Sequence, residues 1–367
     1  VAILARCGES IVEEMRSFLY EKDERTVESA LRVLSSLDTR SALDFVYRFL
    51  DVEFAYSYRN VQMQAVLEKC ESGSELLLCA LLDNTRKTFR HAFIVLLALR
   101  EKRRSKKYHG YPFQQNGSGG ELLHAFLGGM EERVSQFLVP FMEYDEQKER
   151  FQAVSRRLKR SLPSVEELCE EGVHHPDHWV VEATFYFMDM TGRSSLFAHE
   201  RGRFKYADEG GRKMLEEILI LKKIPLFMNL SMELLKDISE ITEERHYYAG
   251  QIVFEEGDIG DEMYLIYTGR VKIFKRGKNR EEMVLSELGE KDYFGEMALL
   301  DDAPRSASAM VLEPAVLSVL TREKLYTIIY EKPEIAIEVC RILSSRLRDA
   351  NDRLQDALQG ESVKSMS

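Results

Sequence analysis

The chain has 367 residues, 44% of them hydrophobic, and a formal net charge of −11. That length holds two or three domains with a sizeable core, and the acidic balance argues against a nucleic-acid-binding role for the chain as a whole. Its five cysteines (7, 70, 79, 169 and 340) are odd in number and lack metal-type pair spacing, so they read as reduced thiols of a cytoplasmic protein. No apolar run is long enough to cross a bilayer, and no signal peptide is evident. Val1 in place of an initiator Met reads as a fragment or a processed chain.

Residues 1–211 contain almost no strand pattern. Apolar residues recur at helical spacing: Ile11, Met15, Phe18 and Leu19, then Val27, Leu31 and Leu34, then Leu43, Val46, Tyr47 and Leu50. Thr26, Ser41 and Ser57 are expected N-caps. Further short stripes follow at Ser74–Leu82, Thr88–Leu99, Leu122–Leu127, Val134–Met142, Phe151–Leu162 and Val165–Glu170. Stacked helix pairs would bury these stripes, giving an α-solenoid; a plain helical bundle is the alternative. The stretch Pro176–Met188 resembles a HEAT-repeat helix, with Asp177 and Trp179 opening it and Ala183 allowing close packing, and Asp83–Leu99 is a looser version. Arg100–Lys107 is strongly basic and Tyr108–Gly120 is rich in polar and Gly residues, which suggests a helix end and a solvated loop; an anionic membrane surface or acidic partner is its functional alternative. Arg156–Arg160 reads as an exposed basic helix face. His174, His175 and His178 gather near Asp177, but without metal-type spacing they read as ordinary histidines of a loop leading into a helix.

Thr191–Gly211 reads as loop, and Arg212–Lys223 as a helix stopped by Pro225. Ser231 is placed to cap a helix over Met232–Ile241. The pattern then changes to short strands: Gln251–Phe254, Glu262–Tyr267, a turn at Gly269, Val271–Phe274, Glu282–Leu288, Ala307–Leu312 and Ala315–Leu320. Regular Gly turns between them suggest an antiparallel jelly-roll barrel. Thr321 caps a helix at Arg322–Tyr330, and Pro333 opens another carrying Ile335, Val339, Ile342, Leu343, Leu347, Leu354 and Leu358. That last stripe suits packing or a homodimer contact. The expected division is a helical domain over 1–211, a barrel with flanking helices over 212–360, and a tail over 361–367: a multidomain α + β protein.

The most informative stretch is Phe294–Ala307. Gly295 allows a tight turn, and one helical turn over Glu296–Leu300 would present free N–H groups to an anion. Arg305, in a Pro-led loop, can grip two phosphate oxygens with its planar fork. Glu296 is an odd neighbour for a phosphate unless it accepts a hydrogen bond from a ligand hydroxyl. The run resembles the phosphate-binding cassette of cyclic nucleotide-binding domains, F-G-E-x-A-L-L followed by P-R-S/T-A, and it matches with no gap at a functional position. Gly257, Gly260 and Gly269 match the turn glycines of that family, and Glu217–Phe227 looks like its leading helix.

The resemblance implies a ligand site of Gly295, Glu296, Met297, Ala298, Leu299, Arg305, Ser306 and Ala307. Arg305 and the amides around Ala298 and Leu299 would hold the cyclic phosphate, Glu296 the ribose 2′-hydroxyl, and Ser306 a further phosphate oxygen. Val284, Leu285 or Leu265 would flank the base, and Arg348 or Asn351 lie where a base-capping residue would be. The ligand is expected to be cAMP, with cGMP the alternative, bound without turnover and without a cofactor. Expected partners are the nucleotide and either a protein or an upstream membrane domain reached through the helical region. Two other readings are a helical scaffold with a degenerate barrel and the cytoplasmic regulatory tail of a nucleotide-translocase-like membrane transporter.

Overall fold

The computed structural model describes residues 11–104, apart from 22, 38, 71 and 72, and residues 162–348, apart from 207, 277–280 and 345–347. The chain divides into two compact units, Val1–Arg201 and Gly202–Ser367.

The first unit is helical: α1 (Val12–Phe18), α2 (Glu24–Ser36), α3 (Arg40–Leu67), α4 (Glu75–Arg104), α5 (Val165–Val173) and α6 (His178–Met190). Two helix starts differ from expectation. Asp23 caps α2, its carboxylate accepting the Thr26 N–H at 3.0 Å, and Thr39 caps α3. Thr26 and Ser41 therefore lie inside the first turns, because the residues just upstream already offer a side-chain acceptor on extended backbone. Ser57 is buried in the middle of α3. Helix lengths differ too, since α3 runs 28 residues and α4 runs 30, joining two stripes expected to be separate. The linking Asp83-Asn84-Thr85 is only mildly unfavourable in a helix, and its side chains find partners. Thr85 donates to the Leu81 carbonyl at 2.8 Å, while Asn84 accepts from Asn60 at 2.8 Å and donates to Asp177 at 3.1 Å.

The core of this unit joins Leu31 and Leu34 of α2, Val46, Leu50 and Val61 of α3, and Val95 and Leu96 of α4. Asp177 caps α6 as expected, accepting from Trp179 N–H at 2.9 Å, and Ala183 is fully buried. His174 turns back to the Glu170 carbonyl at 2.8 Å, whereas His175 is buried. The result is a helical region of unequal helices; a repeating HEAT pair is not shown. The stripes and basic run expected between residues 105 and 161 lie outside the described residues. Among the described residues no helix is long and apolar enough to cross a membrane.

The second unit opens with α7 (Glu209–Lys223) and α8 (Met232–Glu240), the latter capped by Ser231 as expected. Six strands follow: β1 (Glu243–Tyr247), β2 (Ile252–Phe254), β3 (Glu262–Arg276), β4 (Glu282–Leu288), β5 (Tyr293–Phe294) and β6 (Ser308–Thr321). They form one antiparallel sheet in the order β1-β6-β3-β4, with β2 on β6 and β5 on β3. Its end strands do not pair, so the sheet is open rather than a closed barrel. Two long strands organise it. The expected turn at Gly269 is a mid-strand irregularity of β3, opposite Pro314 of the equally continuous β6, and the register shifts three times between Ile266 and Val271. Pro314 has no N–H to donate, so the pair bulges there instead of breaking.

One face of the sheet buries Tyr264, Ile266, Val271, Val311, Leu317 and Val319. Thr321 caps α9 (Arg322–Glu331), and a further helix, α10, covers 334–344. Leu347, Asn351, Leu354 and Leu358 lie outside the described residues.

Candidate functional site

Between β5 and β6 the chain makes the turn that the sequence predicts. Gly295 adopts φ 78°, and Glu296–Leu299 form a single 3₁₀ turn. The Ala298 N–H is already donated to the Gly295 carbonyl at 3.3 Å, so the amides left without a partner within the turn are the earlier ones, on Glu296 and Met297. The Pro304–Arg305 segment is pinned beside the loop at 255–261 by main-chain bonds, Gly257 N–H to the Arg305 carbonyl at 2.9 Å and Arg305 N–H to the Asp258 carbonyl at 2.8 Å.

Arg305 reaches back beneath the turn and is only 7% exposed. Its guanidinium lies 4.1 Å above the Phe254 ring, a favourable cation–π placement. It donates to the carbonyls of Glu262 at 2.7 Å and Gly295 at 3.2 Å. Two glycines make room for it. A Cβ on Gly260 would sit 2.4 Å from Arg305 Nε, and one on Gly295 would sit 2.7 Å from Nη1. Nε has no acceptor, and among the described residues no carboxylate pairs with this guanidinium. The Glu262 carboxylate is near enough to feel Arg305 but is already paired with Arg245, and a buried cation without a counter-charge of its own is costly unless an anion joins it.

Behind Arg305 the backbone is held by a network that sequence reading missed. Arg245 grips the Glu262 carboxylate with two bonds of 2.8 and 3.1 Å, and the Tyr264 hydroxyl donates to it at 2.7 Å. Burial alone would raise the Glu262 carboxyl, but these donors hold it below its ordinary value. Burial and this carboxylate together push the Tyr264 phenol up. The Tyr264 ring stacks on Phe294 at 4.9 Å. An apolar alternation in β3 reveals none of this, because the partners are far apart in sequence.

Above the guanidinium lies a cavity of about 560 Å³. Gly295, Glu296, Met297, Ala298, Arg305, Ser306 and Ala307 all line it; of the expected site residues only Leu299 does not, and it is fully buried. Glu296 has no hydrogen bond or ion pair among the described residues, so it is not the internal salt-bridge partner of Arg305. The apolar wall is made by Phe254, Ile273 and Leu288, with Ser286 beside them. Val284 and Leu285 are instead each 49% exposed and Leu265 is fully buried elsewhere. The reason is a register slip, since Ile273 pairs with Ser286 while Phe274 pairs with Val284, leaving Leu285 without a partner. A one-residue slip turns Val284 off the face shared by Ser286 and Leu288.

Residues 244–332 match the cyclic nucleotide-binding domain family. The chain is similar to the cyclic AMP receptor protein of Thermus thermophilus, 35% identical over 144 residues, which is 39% of this chain and 66% of the relative. It is 31% identical over 139 residues to the CRP-like cAMP-activated global transcriptional regulator of Mycobacterium tuberculosis, covering 38% of this chain and 62% of that protein. The cAMP-dependent protein kinase regulatory subunit of Eremothecium gossypii is 42% identical over 88 residues, 24% of this chain and 18% of that one. The C-terminal part of the chain carries a cyclic nucleotide-binding domain, and each likeness spans only part of the relative's length.

Proposed function

We propose that this domain is a sensor that takes cAMP in the cavity above Arg305 and holds it without turnover. The observation that carries the reading is a buried guanidinium with, among the described residues, no carboxylate partner, opening on a cavity whose one unpaired acid among those residues is Glu296. Arg305 uses two of its N–H groups on carbonyls, which leaves about three of the five for phosphate oxygens. The first amides of the Glu296–Leu299 turn and the Ser306 hydroxyl add donors. Glu296 accepts the ribose 2′-hydroxyl, and the base rests on Phe254, Ile273 and Leu288. Among the described residues neither lining serine hydroxyl, Ser286 or Ser306, is hydrogen-bonded to a base that would activate it as a nucleophile. The bacterial regulators named for cAMP align over more of this chain than the relatives named for cGMP, and on that ground cAMP is taken as the ligand with cGMP the alternative.

Occupancy is read by the helices beside the sheet. α9 is bound to α8 by the Lys332–Asp237 ion pair, and Lys324 of α9 donates to the Ile241 carbonyl at 2.9 Å. In this reading the helical region carries the change to a partner, and the shift is bounded by the difference in cAMP affinity between the two states.

Thermal unfolding with and without nucleotide tests the proposal. Saturating cAMP at a hundred times its Kd stabilises the folded domain by about 2.7 kcal/mol and raises its Tm by roughly 5–11 °C. A Tm unmoved by either cAMP or cGMP would sink the reading, and a larger rise with cGMP would reverse the choice of base.

A further inference from the structure

Arg322, the first residue of α9, does not line the cavity, yet it touches the parts that frame it. Nε and Nη2 both donate to the Ala298 carbonyl, at 3.0 and 2.6 Å. Nη2 also reaches the carbonyls of Asp301 and, at 3.3 Å, Gly260, while Nη1 pairs with the Asp302 carboxylate. Its own N–H is donated to the Asp261 carbonyl at 2.8 Å. One side chain thus ties together the phosphate turn, the loop that packs on Arg305, and the start of α9.

Two physical consequences follow. Ala298 and Asp301 line the cavity, so holding their carbonyls toward Arg322 fixes the peptide planes of the turn before ligand arrives, which removes an ordering cost from binding. Asp301 and Asp302 also place two negative charges directly after a turn meant for an anion. Pairing Asp302 with a guanidinium removes one source of repulsion and adds positive charge near the site.

We infer that Arg322 is a positioning residue of the nucleotide site, setting cAMP affinity from outside the cavity through the backbone of the turn. The inference rests on the cAMP-binding reading above. Calorimetric titration with cAMP, paired with the Tm of the ligand-free protein, tests it on the full chain with R322Q and R322K. R322Q is expected to weaken cAMP roughly ten- to hundredfold, as for lost charge-assisted bonds. R322K retains the charge but not the fork, so it can pair with Asp302 without also holding three carbonyls; it is expected to recover ligand-free Tm more than affinity.

A role in folding alone would instead lower the Tm of both variants and leave both affinities within about twofold of the unaltered protein, and that result would overturn the inference. Should R322Q fail to fold, R322K decides by the same comparison. A flat titration of the unaltered chain would overturn the reading of the site itself, and this inference with it; it is distinct from the variant outcome because it shows before any substitution is made.

Discussion

Replacing Arg305 by Ala is expected to weaken cAMP binding by about 2–5 kcal/mol, the range for deleting one partner of a buried charge pair. The side chain is 7% exposed and supplies the one buried positive group among the described residues that line the cavity. Its loss leaves a cyclic phosphate in a partly enclosed space with only amide and hydroxyl donors. The variant should still fold, because the position of the loop is set by the main-chain bonds of residue 305 to Gly257 and Asp258, which the substitution does not touch. Arg305→Lys should fall between, keeping the charge but losing the fork that spans two oxygens and the flat stacking over Phe254. Calorimetric titration reads both. Affinity unchanged in Arg305→Ala, in a protein of normal Tm, would remove the phosphate site from this cavity.

Acidification is expected to destabilise the helical unit through His175. Burial pushes this imidazole down to about 4. Its Nδ1 accepts the Asp177 N–H at 3.0 Å, so the neutral ring carries its proton on Nε2, which is buried without a partner. A second proton would displace that bond at the cap of α6. The unfolded chain takes up a proton near pH 6.5 and the folded chain only near 4, so stability is fully present above about 6.5 and is lost as pH falls toward 4. The slope is about 1.4 kcal/mol per pH unit, or about 3 kcal/mol over the window. Asp177, whose burial opposes its charge, is nonetheless held below its usual range by Lys87 and by the Asn84 hydrogen bond, and adds loss in the same direction at lower pH. Trp179, the chain's one tryptophan, is buried two residues beyond Asp177 and reports on this unit. Urea unfolding followed by its fluorescence should show that His175→Gln flattens the dependence between pH 6.5 and 4. Parallel profiles for the two proteins would contradict the assignment.

What was legible in the sequence is what depends on local chemistry. Ser231 and Thr321 announced their helices because a cap needs only the following turn. The Gly295–Arg305 run announced the turn, the buried fork and the free acid, because few residue types satisfy those demands together. Features that depend on distant partners were not legible. β1, Glu-Glu-Arg-His-Tyr, has no apolar alternation and is a strand because β6 supplies its hydrogen bonds. The fused α4 depends on Asn60 and Asp177 meeting Asn84 across the unit. The apolar wall was misplaced by one bulge in β4, which no pattern of hydrophobicity marks. Arg322 looked like an ordinary first-turn residue; only the folded chain shows three carbonyls converging on it.

In the proposed complex the free carboxylate of Glu296 and the guanidinium of Arg305 recognise the two ends of one cyclised ribose phosphate. Titration of the unaltered chain with cAMP and with 2′-deoxy-cAMP, repeated on Glu296→Gln, tests it most directly. The unaltered chain is expected to prefer cAMP over the deoxy compound by about 1.5–3 kcal/mol, the value of a hydrogen bond to a charged group, and the preference is expected to shrink sharply in Glu296→Gln. Equal binding of the two nucleotides by the unaltered chain, or a preference that survives the substitution unchanged, would contradict it.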